Sequence, residues 1–234
     1  MIADNIRMVE AEIEKAKTAR VRAPREATVH LIAVTKNHDI LAMREAIDAG
    51  AKEIGENRIQ EAKEKFERLE RKVKCHLIGH LQTNKVKQAV KYFDLIHSID
   101  SIHLAQALNH AAEKENKLQD VLVQVNLAEE ESKSGVRKED LMDLLRTVDE
   151  LSNLRLKGLM MIAPNYEDAE GCRPLFREMY EIFQKVKAMK WKAADVEYLS
   201  MGMSNDYRIA VEEGANIVRV GTAIFGKRLY GNMK

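Results

Sequence analysis

The chain has 234 residues, of which 45% are apolar and 32% charged, and its 38 basic and 37 acidic side chains give a formal net charge of +1. That length suits one β/α barrel with enough apolar material for a large core. The near-even charge argues against nucleic acid as a partner, because such domains carry a basic excess on one face.

The chain opens with MIADNIRMVEAEIEKAKTAR, which mixes acids and bases at helical spacing and predicts a helix over roughly Ala3–Arg20. It lacks the apolar stretch of a signal peptide, and no later apolar run is long enough to cross a membrane. Short β-branched or aliphatic runs then recur at Val29–Thr35, Glu53–Glu56, Cys75–Ile78, Leu95–Ile99, Val121–Val125, Leu156–Ile162, Glu197–Leu199 and Ile217–Val220. Between them, Leu41–Ala49, Gln60–Leu69, Leu104–Glu115, Glu139–Leu151 and Pro174–Met189 place apolar residues three and four apart. Such alternation specifies a parallel sheet with helical crossovers. Eight units in this length predict a single α/β domain over 1–234, a closed (β/α)8 TIM barrel with an extra N-terminal helix. An open doubly wound sheet is the alternative. The charge run from Glu61 to Lys74 is expected to be a solvated helix face, and EEESKS with Gly135 a surface loop after the fifth strand. Cys75 and Cys172 lie far apart and form no CxxC or zinc pattern, which fits a reduced, cytoplasmic setting.

Ligands of parallel barrels bind where the strands end. The period-2 set His30, Ile32, Val34 and Lys36 puts a lysine at the end of the first strand, above apolar residues. Burying an ammonium is costly, so such surroundings favour the free base, a nucleophile suited to Schiff-base chemistry with an aldehyde. Position alone favours a lysine that simply snorkels from a strand end. The last two units add to the first reading. LSMGMSNDYRIAVEEGA reads as strand, glycine turn and helix with Ser204 as N-cap, and NIVRVGTAIFG as strand, Gly221-Thr222 and a short helical turn. Loops after the seventh and eighth strands are the recurrent phosphate site of this fold. Arg219 and Gly221 share one face of the last strand. Together these residues describe a cavity for a phosphorylated aldehyde. A barrel enzyme that acts on a phosphorylated metabolite without a vitamin cofactor is equally compatible with them.

The segments AVTK (33–36), IGENRIQE (54–61), HLIGHLQTNK (76–85), SGV (134–136), GLMMIAP (158–164), LSMGMSNDY (199–207) and VRVGTAIFG (218–226) resemble, in order, the pyridoxal-phosphate homeostasis proteins. That family is similar to the isolated barrel domain of alanine racemase and other fold-type III pyridoxal-phosphate enzymes. The resemblance implies that Lys36 carries pyridoxal 5'-phosphate as a Schiff base. It implies that Ser204, Gly221 and Thr222 hold the phosphate, helped by Ser200 and Gly202, that Arg219 faces the pyridine nitrogen, and that Asn57 lines the pocket. A guanidinium only donates, so it keeps that nitrogen unprotonated and the ring a weak electron sink. The implied role is homeostasis of the cofactor and of amino and keto acids, by holding the aldehyde or passing it to apoenzymes. A monomer is implied, with no dedicated catalytic second domain, and a weak amino-acid racemase is the alternative activity.

Other chemically capable residues read as structural. His76 and His80 flank a strand-like LIG, too far apart for one ion, and His97, His103 and His110 are expected to be structural or exposed. The two cysteines are expected to be inert. The Met160–Met161 pair, Met201 and Met203 read as barrel packing, while Tyr207 and Tyr230 have no readable place.

Overall fold

The computed structural model describes residues 1–70, 73–130 and 134–226. Eight parallel strands pair in sequence order and close on themselves. They are β1 His30–Val34, β2 Glu53–Glu56, β3 Lys74–Leu77, β4 Leu95–Ile99, β5 Gln119–Val125, β6 Leu154–Met161, β7 Tyr198–Met203 and β8 Ile217–Val220. Closure is made by β8 on β1, with His30 opposite Ile217 and Ala33 opposite Val220, so the open-sheet alternative falls. The helices are α1 Ile2–Thr18, α2 Ile40–Asp48, α3 Ile59–Phe66, α4 Val86–Tyr92, α5 Ile102–Lys114, α6 Leu141–Glu150, α7 Arg173–Lys187, α8 Tyr207–Glu212 and α9 Thr222–Phe225.

Local signals account for much of this. Asp39 accepts from the Ala42 N–H at the start of α2, and Ser101 from the Leu104 N–H at the start of α5, each satisfying a donor that the helix cannot use itself. On α1, Ile6, Val9, Ile13 and Ala16 form one buried stripe at helical spacing. This extra helix packs on α2, α8 and α9, and Asn5 Nδ2 donates to the Ile224 carbonyl at 2.7 Å, tying α1 to α9.

Two apolar cores result. The larger fills the space between strands and helices, and the smaller, inside the barrel, joins Ile32, Val34, Ile78, Leu95, Leu122, Met160 and Ile217. Alternation on β1 divides them: Ile32 and Val34 point inward while Ala33 joins the outer core.

Three expectations need correction. The seventh strand is Tyr198–Met203, not Glu197–Leu199, because pairing with β8 resumes at Met203 after an irregularity that contains Gly202 in a left-handed conformation (φ 97°). A Cβ at Gly202 would lie 2.6 Å from the Ala210 Cβ, so glycine is needed for both the φ and the close approach of α8. Ser204 is not the N-cap of α8. That position is Asp206, whose Oδ1 accepts from the Met203 N–H at 2.6 Å. Finally, the Glu61–Lys74 run is not wholly solvated, since Lys65 is buried and reaches back to the end of β1. Arg71 and Lys72 of that run lie outside the described residues.

Candidate functional site

A cavity of about 410 Å³ opens at the C-terminal ends of the strands. Lys36 after β1, Asn57 after β2, Ser204 after β7, Arg219 on β8, and Gly221 and Thr222 after β8 all line it. Val34, Ile78 and Ile162 supply apolar wall. This mixture of apolar lining and a few convergent polar groups is the usual make-up of a small-molecule site, and the volume is in the usual range.

At one end, two backbone donors converge on a single oxygen. The N–H groups of Gly221 and Ala223 point at Ser204 Oγ from 3.2 and 3.3 Å. The seventh and eighth loops are therefore joined by the hydroxyl and amides that suit an anion. Arg219, which also lines the cavity, is almost fully buried, donating from Nη1 to Ser200 Oγ at 2.6 Å and from Nη2 to the Met161 carbonyl at 2.8 Å. Burial pushes its guanidinium down to about 10, opposed by the charge of Asp206, so it remains a cation at neutral pH.

The base of Lys36 is held by a buried polar cluster. Thr35 Oγ1 donates to Glu56 Oε1 at 2.6 Å, and Lys65 Nζ donates to the Thr35 carbonyl and Glu56 Oε1, both at 2.7 Å, and to Glu61 Oε1 at 2.6 Å. The Glu61 carboxylate also takes the N–H of Asn37, which has a positive φ of 60°. Burial raises the Glu56 carboxyl above its ordinary range, and the Lys65 ammonium and the hydrogen bonds oppose that rise.

The structure does not bring every expected residue to the cavity. Ser200 is fully buried behind Arg219 and Gly202 sits beneath Tyr207 and Ala210, so neither lines it. The inward face of β7 puts the Ser200 side chain between His97 and Arg219. Met203 lines the cavity and is partly exposed, so it is not barrel packing like Met160, Met161 and Met201.

His38, Asn165 and Asp206 line the site without having been singled out from sequence. The His38 ring stacks on Phe225 at 4.7 Å, which only the closure of β8 on β1 could reveal. Asp206 lay in the NDY stretch quoted above, where its turn position next to a strand end was the available signal. His97 is buried and hydrogen-bonded between His76 and Ser200, whereas His103 and His110 are exposed. Cys75 and Cys172 are buried, and burial pushes the Cys75 thiol up to about 12. Tyr230 lies outside the described residues.

Residues 9–228 match the model of the alanine racemase N-terminal domain family. The pyridoxal phosphate homeostasis protein of Aquifex aeolicus is 42% identical over 220 residues, covering 93% of this chain and 96% of its own. That of Escherichia coli is 38% identical over 234 residues, covering 98% and 97%. Among solved structures, PipY of Synechococcus elongatus with pyridoxal phosphate bound superposes with a TM-score of 0.83 at 36% identity, covering 97% of this chain and all of that one. Alanine racemase of Bartonella henselae shares the barrel, with a TM-score of 0.70 at 18% identity over 97% of this chain and 60% of the racemase. With near-complete coverage and the same barrel, the chain belongs to the pyridoxal phosphate homeostasis protein family.

Proposed function

We propose that the protein binds pyridoxal 5'-phosphate in the barrel-mouth cavity and serves in homeostasis of that cofactor and of amino and keto acids. The observation that carries this reading is the pairing of an anion cradle at Ser204, Gly221 and Ala223 with Lys36 in the wall of the same cavity. When bound, pyridoxal phosphate supplies an aldehyde that a neutral lysine amine can take up as a Schiff base with loss of water, and a phosphate that anchors it.

The residues fit such a group. The hydroxyl of Ser204 and the N–H groups it gathers would receive the phosphate, with Thr222 beside them. Lys36 Nζ would meet the aldehyde, and Asn57 would flank the ring. Arg219 would donate to the ring nitrogen, and since it gives up no proton at neutral pH it would hold that nitrogen unprotonated. That setting weakens the ring as an electron sink, which favours carriage of the cofactor over carbanion chemistry. In this reading the protein is a cytoplasmic monomer that keeps a reactive aldehyde and passes it to apoenzymes.

Titration of the purified protein with pyridoxal phosphate tests the reading. A visible absorbance band that borohydride removes is the expected result, with pyridoxal binding far more weakly because it lacks the phosphate. Protein that takes up no cofactor would contradict it and return the case to a barrel enzyme on another phosphorylated metabolite. Formation of D-isomers from L-amino acids, lost in Lys36→Ala, would instead establish racemase activity.

A further inference from the structure

The barrel interior below the cavity contains a file of polar side chains contributed by different strands. Arg219 on β8 donates to Ser200 on β7, and Ser200 Oγ lies 3.0 Å from His97 Nδ1 on β4. His97 Nε2 lies 3.0 Å from His76 Nδ1 on β3. His76 Nε2 is 3.3 Å from Glu53 Oε2 on β2, and the other Glu53 oxygen meets His30 Nδ1 at 2.8 Å. Ser200, His76 and His97 are fully buried, so each proton in the file must be accounted for within it.

The two ends decide which way those protons point. A guanidinium has no acceptor, so Ser200 Oγ accepts from Arg219 Nη1. A carboxylate has no proton to give, so the 3.3 Å approach of His76 Nε2 to Glu53, too poorly aligned for a full hydrogen bond, favours an N–H on that nitrogen over a lone pair. Burial raises the Glu53 carboxyl, but the contacts from His30 and His76 outweigh it and hold the group ionised, below the ordinary range. With a proton on Nε2 alone, His76 accepts at Nδ1, which places the His97 proton on Nε2. His97 Nδ1 is then an acceptor, and the Ser200 hydroxyl proton goes to it. For a singly protonated His76, the reverse order would aim a nitrogen lone pair at the Glu53 carboxylate. Complete burial also keeps His97 neutral, since its imidazolium would lie unsolvated in a file that already contains a guanidinium.

We infer that His97 is a positioning residue of the cavity: through Ser200, whose proton it accepts, it leaves the Ser200 oxygen as a fixed acceptor for Arg219. With Nη1 committed to Ser200 and Nη2 to the Met161 carbonyl, the guanidinium plane is locked, and its remaining donors face the cavity in one orientation. The file thus selects a ligand that offers a hydrogen-bond acceptor at that edge. The inference rests on the preceding reading for the ligand, while the proton order of the file does not.

Imidazole nitrogen NMR of the ligand-free protein tests the proton order. His97 is expected to stay neutral, with its proton on Nε2, between about pH 6 and pH 9. A His97 proton on Nδ1, or an imidazolium, would overturn the inference. The guanidinium signals of Arg219 should be resolved in the wild type, because rotation is hindered, and merge in Ser200→Ala. Signals that behave alike in both would equally overturn it.

Binding supplies the second readout. Ser200→Ala and His97→Leu should each weaken pyridoxal phosphate about tenfold and shift the absorbance of the bound cofactor. His97→Asn, whose carboxamide oxygen can stand in for Nδ1, should remain within about threefold of wild type. If His97→Leu does not fold, Ser200→Ala carries the comparison, because it removes a single buried oxygen. Wild-type protein that binds no pyridoxal phosphate would refute the ligand reading, leaving the Arg219 and imidazole signals to decide the positioning role. Wild-type and Ser200→Ala proteins with the same affinity and spectrum would refute the positioning role alone.

Discussion

Lys65 Nζ lies 2.7 Å from Glu56 Oε1, and this buried pair stands directly behind the turn that carries Lys36. Glu56 is fully buried, and its second oxygen has no hydrogen-bond partner among the described residues, so the ammonium is its principal compensation. Removing one member of such a pair leaves an uncompensated charge, at a cost of about 3–5 kcal/mol. Lys65→Met should therefore lower the urea midpoint of unfolding sharply. Glu56→Gln with Lys65→Met should recover much of that loss, because no buried charge is left alone. A single variant as stable as wild type would contradict this account of the Lys36 turn.

The anion cradle makes a separate claim about affinity. Ser204→Ala removes the oxygen on which the Gly221 and Ala223 N–H groups converge. Affinity for pyridoxal phosphate should fall about tenfold, while the weak affinity for pyridoxal should hardly move. Equal losses for both ligands would place Ser204 away from the phosphate.

Acid stability should report on Glu53. Its carboxyl is held below the ordinary value of 4.5, so its contribution is present above that pH and is lost as the pH falls toward the folded-state value. Glu53→Gln should be less stable than wild type at neutral pH, with the difference shrinking as the pH drops below about 4. Urea titrations across that range check the sign, and a gap that widens toward acid would contradict it.

Backbone geometry gives a prediction independent of any ligand. Gly202→Ala would force a Cβ into Ala210 and Tyr207 at a left-handed position and should destabilise by about 1–3 kcal/mol. Unfolding midpoints at matched pH measure it, and an unchanged midpoint would mean that the β7–α8 approach is looser than described.

The legibility of the fold follows from which signals are local. The run His30, Ile32, Val34, Lys36 carries its inward face in plain alternation, so a lysine at the cavity could be read directly. Gly221-Thr222 was similarly legible, because the strand before it and the helical turn after it lie within nine residues of sequence. The sequence shortens β7 because SMGMS offers two serines and a glycine where a strand usually shows branched apolar residues. Its continuation depends on pairing with β6 and β8. Ser204 has the chemistry of an N-cap, but its oxygen faces a neighbouring loop 17 residues away, a tertiary choice that capping rules cannot foresee. His97 and Ser200 are 103 residues apart and meet only because the barrel closes. In LIHSI a single histidine looks like an isolated buried polar residue, and its partners on β3 and β7 have no signature in their own segments.

The central claim is that Lys36 and the anion cradle serve one ligand. Borohydride reduction of the protein loaded with pyridoxal phosphate, followed by peptide mass mapping, tests it most directly. The account predicts a stable adduct on Lys36, sharply reduced in Ser204→Ala at limiting cofactor. An adduct on a different lysine, or a protein that gains no mass after loading and reduction, would contradict it.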